Sequence, residues 1–159
     1  MENNQSIFET ICRLREEEPG LPYRFQDERT AGQKDVLYVL ASEGIPFWRK
    51  EDLAKECCGI LKDLVNKEDT ILTDPVLRHF LEHYPICSYF IELRERVRIT
   101  LEAETSSRER LFHLGMRLAR SGTDPEQVKL GIILLGFFPY DTTKQIMRVL
   151  GYHSEYTLY

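Results

Sequence analysis

The stretch TDPEQVKLGIILLGFF, Thr123 to Phe138, decides the fold class. It opens with Asp124, a good helix cap, and with Pro125, which suits the first helical position because that N–H needs no partner. From Leu130 to Phe138 the segment is apolar on almost every side, and Pro139 ends it. Because a helix that is hydrophobic all round is buried, we expect this helix at the centre of the C-terminal half.

Helical patterns continue toward both termini from this segment. Ser6 and Glu9 have the spacing of a capping box, Asp74 precedes a proline, and a helix is expected from Ile86 to Glu104. No segment alternates as a strand does, and no Asn-Gly or Asp-Gly hairpin turn occurs. The sequence therefore predicts an all-α fold of about eight helices. Short connections favour antiparallel pairs, arranged as a compact bundle or a short α-solenoid.

The chain length of 159 residues suits a single domain, 1–159. Within it we expect N-terminal helices over 6–66, a C-terminal helical part over 74–151 and an aromatic tail over 152–159. The tail is too apolar to be left free in water. It is therefore predicted to dock on the helices or on a second subunit.

Part of the C-terminal region resembles a HEAT repeat. The match rests on an Asp-Pro turn, a valine, a basic residue, a small residue and a closing Leu-Gly: Asp124-Pro125, Val128, Lys129, Gly131 and Leu135-Gly136. The resemblance covers one unit, about residues 107–138, and makes 74–151 the HEAT-like part of the chain. It implies stacked helix pairs that offer an interaction surface rather than a catalytic site.

Charge and cysteine usage restrict the class of protein. The net charge of −5 disfavours a general nucleic-acid or anionic-membrane role, because both need a positive field. The N-terminus lacks a basic segment followed by an apolar one, as a secretory signal would have. The longest apolar run is about half of what a spanning helix needs. We therefore interpret the four cysteines as reduced thiols. We expect a cytoplasmic protein that does not associate with membranes.

The segment HFLEH contains His79, Glu82 and His83 in the H-x-x-E-H spacing of the inverted zinc peptidases. A helical wheel places these three residues on the side opposite the apolar positions, so we interpret them as the solvent face of a short helix. No metal and no cofactor is predicted. A helical metal-binding protein or small metalloenzyme that uses this face remains the alternative.

An arginine face and two aromatic residues are the binding candidates. Arg94 and Arg98 lie one helical turn apart and Arg117 follows on the next helix, and arginine suits carboxylate or phosphate recognition. Glutamates interleave with these arginines, a pattern typical of a solvated, salt-bridged surface. Trp48 and Tyr152 lie at helix edges, and such aromatic residues are favoured at interfaces.

The sequence favours a non-catalytic protein–protein interaction or scaffold module whose specific role is not readable. We expect no enzyme activity, because no catalytic motif has supporting context. The expected partner is another protein, with an acidic one as an option, and a homodimer is possible. A nucleic-acid-binding regulator that uses the arginine face is the third and least favoured reading.

Overall fold

All regular structure in the described residues is helical. The computed structural model describes residues 5–17, 19, 33–41, 46–67, 70–103 and 107–159. The α-helices are α1 Ile7–Glu17, α2 Gln33–Ala41, α3 Phe47–Leu64, α4 Pro75–His83, α5 Phe90–Ala103, α6 Ser107–Ser121, α7 Pro125–Leu135 and α8 Asp141–Leu150. Short 3₁₀ turns follow α4 and α8, and none of the described residues lies in a strand. The predicted all-α fold with about eight helices is confirmed.

Local sequence signals explain several helix ends. The Ser6 hydroxyl accepts the Glu9 N–H, and the Glu9 carboxylate accepts the Ser6 N–H, both at 3.2 Å, as in a capping box. Asp74 and Asp124 accept N–H groups from the first turns of α4 and α7 at 2.8 Å and 2.9 Å. These bonds satisfy donors that have no partner within the helix.

The helix predicted from Ile86 to Glu104 is broken near its start. Residues 86–88 form a 3₁₀ turn, and α5 begins only at Phe90. The Ile86 N–H donates to the buried Glu126 carboxylate of α7 at 2.7 Å. This contact across the fold holds the turn where a continuous helix was expected.

Helix α7 is buried between two hydrophobic cores, as expected for a helix predicted to be the centre of the C-terminal half. Every residue from Glu126 to Leu135 is buried. One side of α7 packs into a large core with α3, α4, α5 and α6, and the other side packs into a smaller core with α1 and α8. Helix α1, which we grouped with the N-terminal helices, therefore contacts α6 and α8 near the C-terminus.

Helices α6 and α7 make the most extensive contact between any two helices in the described part of the chain, and they cover the residues for which the HEAT resemblance is predicted. Gly131 faces Ala119 so closely that a Cβ atom on Gly131 would lie 2.5 Å from the Ala119 backbone nitrogen. Gly115 meets the side chains of Leu134 and Leu135 in the same way, with a Cβ position 3.1 Å from each. Small residues on both helices thus permit the close approach.

The aromatic tail docks on the helices, which confirms that prediction. Tyr156 is only 3% exposed and belongs to the smaller core. The Tyr159 ring packs edge-on against Phe90 of α5. The tail thereby packs against α5 and the smaller core, and its Glu155 contacts Lys129 of α7.

Candidate functional site

A buried ionic cluster joins three distant parts of the chain. Lys129 of α7 is fully buried, and its ammonium lies 2.7 Å from Asp35, 2.8 Å from Glu126 and 2.7 Å from Glu155. These four residues are called the ionic cluster below. The Tyr159 hydroxyl donates to the same Asp35 oxygen at 2.7 Å. Helix α2, helix α7 and the tail therefore meet at one lysine.

The electrostatics keep Lys129 charged. Burial alone would lower the pKa of Lys129, but the nearby carboxylates, Glu126 above all, outweigh it and raise that pKa. Burial raises the pKa of Glu126, and Lys129 opposes this shift. Burial and the bond to Asp35 also raise the pKa of the Tyr159 hydroxyl. Closed off from water, the cluster acts as a clamp that holds α2 and the tail against α7.

Sequence reasoning missed the ionic cluster. The sequence indicates Lys129 only as the basic position of the HEAT pattern, and Glu155 only as a conceivable downstream ligand for the H-x-x-E-H segment. Asp35 lies 94 residues from Lys129 along the chain. No local spacing indicates a partner at such a distance. The one signal in the sequence for a buried counter-charge is the apolar segment around Lys129, because a lysine in a fully buried segment needs a counter-charge.

Helix α2 presents apolar side chains to solvent. Among the α2 side chains that the structure describes, Asp35 is the buried one, whereas four hydrophobic side chains are 45–59% exposed. Two more follow at the start of α3, with Phe47 66% and Trp48 64% exposed. These side chains are named the α2 apolar surface: Val36, Leu37, Val39, Leu40, Phe47 and Trp48. They are six of the twelve large hydrophobic residues that the described chain exposes.

The residues predicted to bind are spread over four elements. Trp48 lies in α3, Arg94 and Arg98 in α5, Arg117 in α6, and Tyr152 just after α8; all five are exposed. The Arg98 guanidinium is held between two glutamates of its own helix. The guanidinium carbon of Arg15 in α1 lies over the Tyr152 ring, 4.2 Å from the centre of that ring. Of the five, Trp48 lies in the α2 apolar surface.

The three residues of the H-x-x-E-H segment lie together on the outer side of α4, as the helical wheel predicts. His79, Glu82 and His83 are all exposed, and one ligand atom from each lies within 4.8 Å of the others. Glu155, a conceivable further ligand, instead pairs with Lys129 in the interior. The local group is therefore three side chains on one helix.

Comparisons with protein-family models, with curated proteins and with solved structures gave no match. Among the helices of the described residues, none combines the length and the hydropathy required to cross a bilayer.

Proposed function

We propose that the chain is a non-catalytic interaction module that docks another protein on the α2 apolar surface. One observation carries the proposal: half of the large hydrophobic residues exposed by the described chain fall within residues 36–48. A concentration of exposed apolar side chains is characteristic of interaction sites. The expected partner presents a complementary apolar groove or helix face.

The geometry of α2 supports a helix-in-groove contact. At about 100° per residue, Val36, Leu37, Val39 and Leu40 span an arc of roughly 160° on one side of the helix. Asp35 lies outside this arc and binds the interior. Anchor side chains at positions i, i+3 and i+4 are how a helix face enters a partner's groove.

The size of the surface fits a protein partner. Its six side chains expose roughly 700 Å², close to the area of about 800 Å² that one partner contributes to a standard interface. Five residues separate the end of α2 from Phe47. Because an extended chain advances at most about 3.6 Å per residue, both parts of the surface lie within reach of one partner.

The charge distribution favours a protein over an anionic membrane. The six side chains carry no charge, whereas the whole chain has a net charge of −5. Anionic lipid attracts basic flanks, and its field repels a molecule of negative net charge. An apolar protein surface imposes no such penalty.

The ionic cluster makes the surface ready to bind. Asp35 fixes α2 to Lys129 and Tyr159 at 2.7 Å each, which sets the side of α2 that faces solvent. A helix held in its binding orientation pays less ordering entropy when a partner arrives. Surface complementarity is the whole mechanism, and no residue performs chemistry.

The test begins with photo-crosslinking in an extract of the native host. A benzoylphenylalanine replaces Leu40, 57% exposed in α2, or Val76, 60% exposed in α4, as the matched control. We expect a specific adduct with a different protein from position 40 and none from position 76. That protein is then purified and its affinity for the full chain is measured.

The affinity of the purified partner for two variants decides the proposal. Burying a leucine side chain is worth about 1.5–3 kcal/mol, so Leu40→Glu should weaken binding by about tenfold or more. Val76→Glu should leave the affinity within about twofold of the original. Equal effects of the two substitutions, an adduct only between two copies of this chain, or binding only to neutral lipid vesicles would each overturn the proposal.

A further inference from the structure

A second surface of the molecule has the composition of a metal site and is independent of the α2 apolar surface. His79, Glu82 and His83 lie on the solvent side of α4 with ligand atoms within 4.8 Å of one another. Among the described residues they are the one such group of three histidine, cysteine, aspartate or glutamate side chains. Two histidines four residues apart on a helix are a recurrent zinc-binding arrangement.

The helix that carries this group is firmly held. Asp74 caps the first turn of α4, and Leu77, Phe80 and Leu81 anchor its inner face in the large core. Ligands on a packed helix keep their relative positions better than ligands on a loop. Only side-chain rotation is therefore needed to close the site.

A hydrogen bond prepares His83 as a ligand. Its Nδ1 atom lies 2.8 Å from the backbone carbonyl oxygen of His79. A carbonyl oxygen can only accept, so Nδ1 carries the proton, and in the neutral ring the Nε2 lone pair is left for a metal. Metal-bound histidines almost always donate their second nitrogen in this way, which fixes the ring and its tautomer.

The distances suit a tetrahedral ion. With Zn–N and Zn–O bonds of about 2.0–2.1 Å, neighbouring ligand atoms of a tetrahedral site lie about 3.4 Å apart. The three side chains are exposed and free to rotate in solvent, and their ligand atoms already lie within 4.8 Å of one another. Water completes the fourth position, which stays open to solvent.

We propose that His79, Glu82 and His83 bind one divalent transition-metal ion of the zinc class at the surface of α4. Two imidazoles and a carboxylate suit zinc, copper or nickel, whereas magnesium and calcium prefer oxygen ligands alone. The half-buried Cys58 thiol competes poorly, because burial raises its pKa to about 11 and keeps its sulfur protonated at neutral pH.

The test is a titration of the full chain with Zn²⁺ in a chelator-free buffer, followed by calorimetry and native mass spectrometry. We expect one zinc per chain. His79→Ala and His83→Ala should each weaken binding by at least about tenfold, since even outer-shell changes cost about 10–100-fold. Co²⁺ in place of zinc should give the visible absorption of a tetrahedral site in the unmodified chain and lose it in His83→Ala.

The matched control is His113→Ala. His113 is exposed on α6 with Glu109 one turn away at 3.9 Å, and within the described residues this histidine–carboxylate pair has no third ligand beside it. This substitution should leave zinc affinity unchanged. Absence of stoichiometric zinc, an equal loss in His113→Ala, or binding that survives His79→Ala and His83→Ala but disappears in Cys58→Ser would overturn the site.

Discussion

Removing the buried cation from the ionic cluster should destabilise the fold strongly. The substitution Lys129→Met keeps the apolar stem but leaves the carboxylates of Asp35, Glu126 and Glu155 without a counter-charge in the interior. Breaking a buried ion pair by removing one partner costs about 3–5 kcal/mol. A domain of this size has about 5–15 kcal/mol of stability in total, so the variant should be folded but close to its limit.

The assay is urea unfolding at pH 7 beside a matched control. Lys144→Met removes a lysine that also pairs with an acid three residues earlier, but here the two side chains are 57% and 91% exposed. Surface changes of this kind usually stay within about 0.5 kcal/mol. The comparison therefore sets a buried lysine that meets three carboxylates against an exposed lysine that meets one, with a partner three residues earlier in both cases.

The pH dependence provides a second check with a defined sign. The carboxylates left alone in Lys129→Met should have pKa values above those of the unfolded chain, so their destabilising effect is largest at neutral pH and shrinks as the pH falls and they take up protons. The difference in unfolding free energy from the original protein should therefore decrease between pH 7 and pH 5. In the original protein the pKa of Lys129 is raised, so its stabilisation should persist up to pH 10.5 and be lost as the pH rises further. A Lys129→Met variant as stable as Lys144→Met, or a deficit that does not change with pH, would refute the clamp.

Three further predictions concern packing, pH and capping. Gly131→Ala should destabilise the protein by about 1–3 kcal/mol, because the new Cβ overpacks the contact between α6 and α7. Gly59→Ala on helix α3 places its Cβ in open space and should stabilise the protein by up to about 1 kcal/mol. The urea midpoints of the two variants measure the difference. Burial lowers the pKa of His153 below its ordinary 6.5. As the pH drops below 6.5, the unfolded state therefore takes up a proton before the folded state does, and the free energy of unfolding decreases. The substitution His153→Asn should make the free energy of unfolding less dependent on pH in that range. Ser6→Ala removes the cap of α1 and should cost about 0.5–2 kcal/mol, whereas an unchanged melting curve would contradict the reciprocal bonds of the capping box.

Helix positions followed from local chemistry, and so they could be read from the sequence. The bonds that start α1, α4 and α7 involve residues two or three positions apart. The apolar run in α7 likewise predicts a buried helix, because every side of it is hydrophobic. The solvent face of α4 followed from the same periodicity.

The surface of α2 shows where periodicity stops being informative. The sequences QKDVLYVLA of α2 and VKLGIILL of α7 are both rich in apolar residues, yet α7 is buried and α2 exposes four of them. The difference is set by contacts with distant segments, above all Asp35 with Lys129 and Tyr159. Such pairings lie across more than 90 residues, and no pattern within one helix indicates them.

The most direct test of the interaction surface is quenching of Trp48 fluorescence by acrylamide. Trp48 is the sole tryptophan of the chain and is 64% exposed, so its emission reports on this surface alone. We expect efficient quenching of Trp48 in the free protein at all concentrations, and strong protection from acrylamide when the partner identified by crosslinking is bound. Protection of Trp48 in the free protein, or unchanged quenching in a complex that has formed, would contradict it.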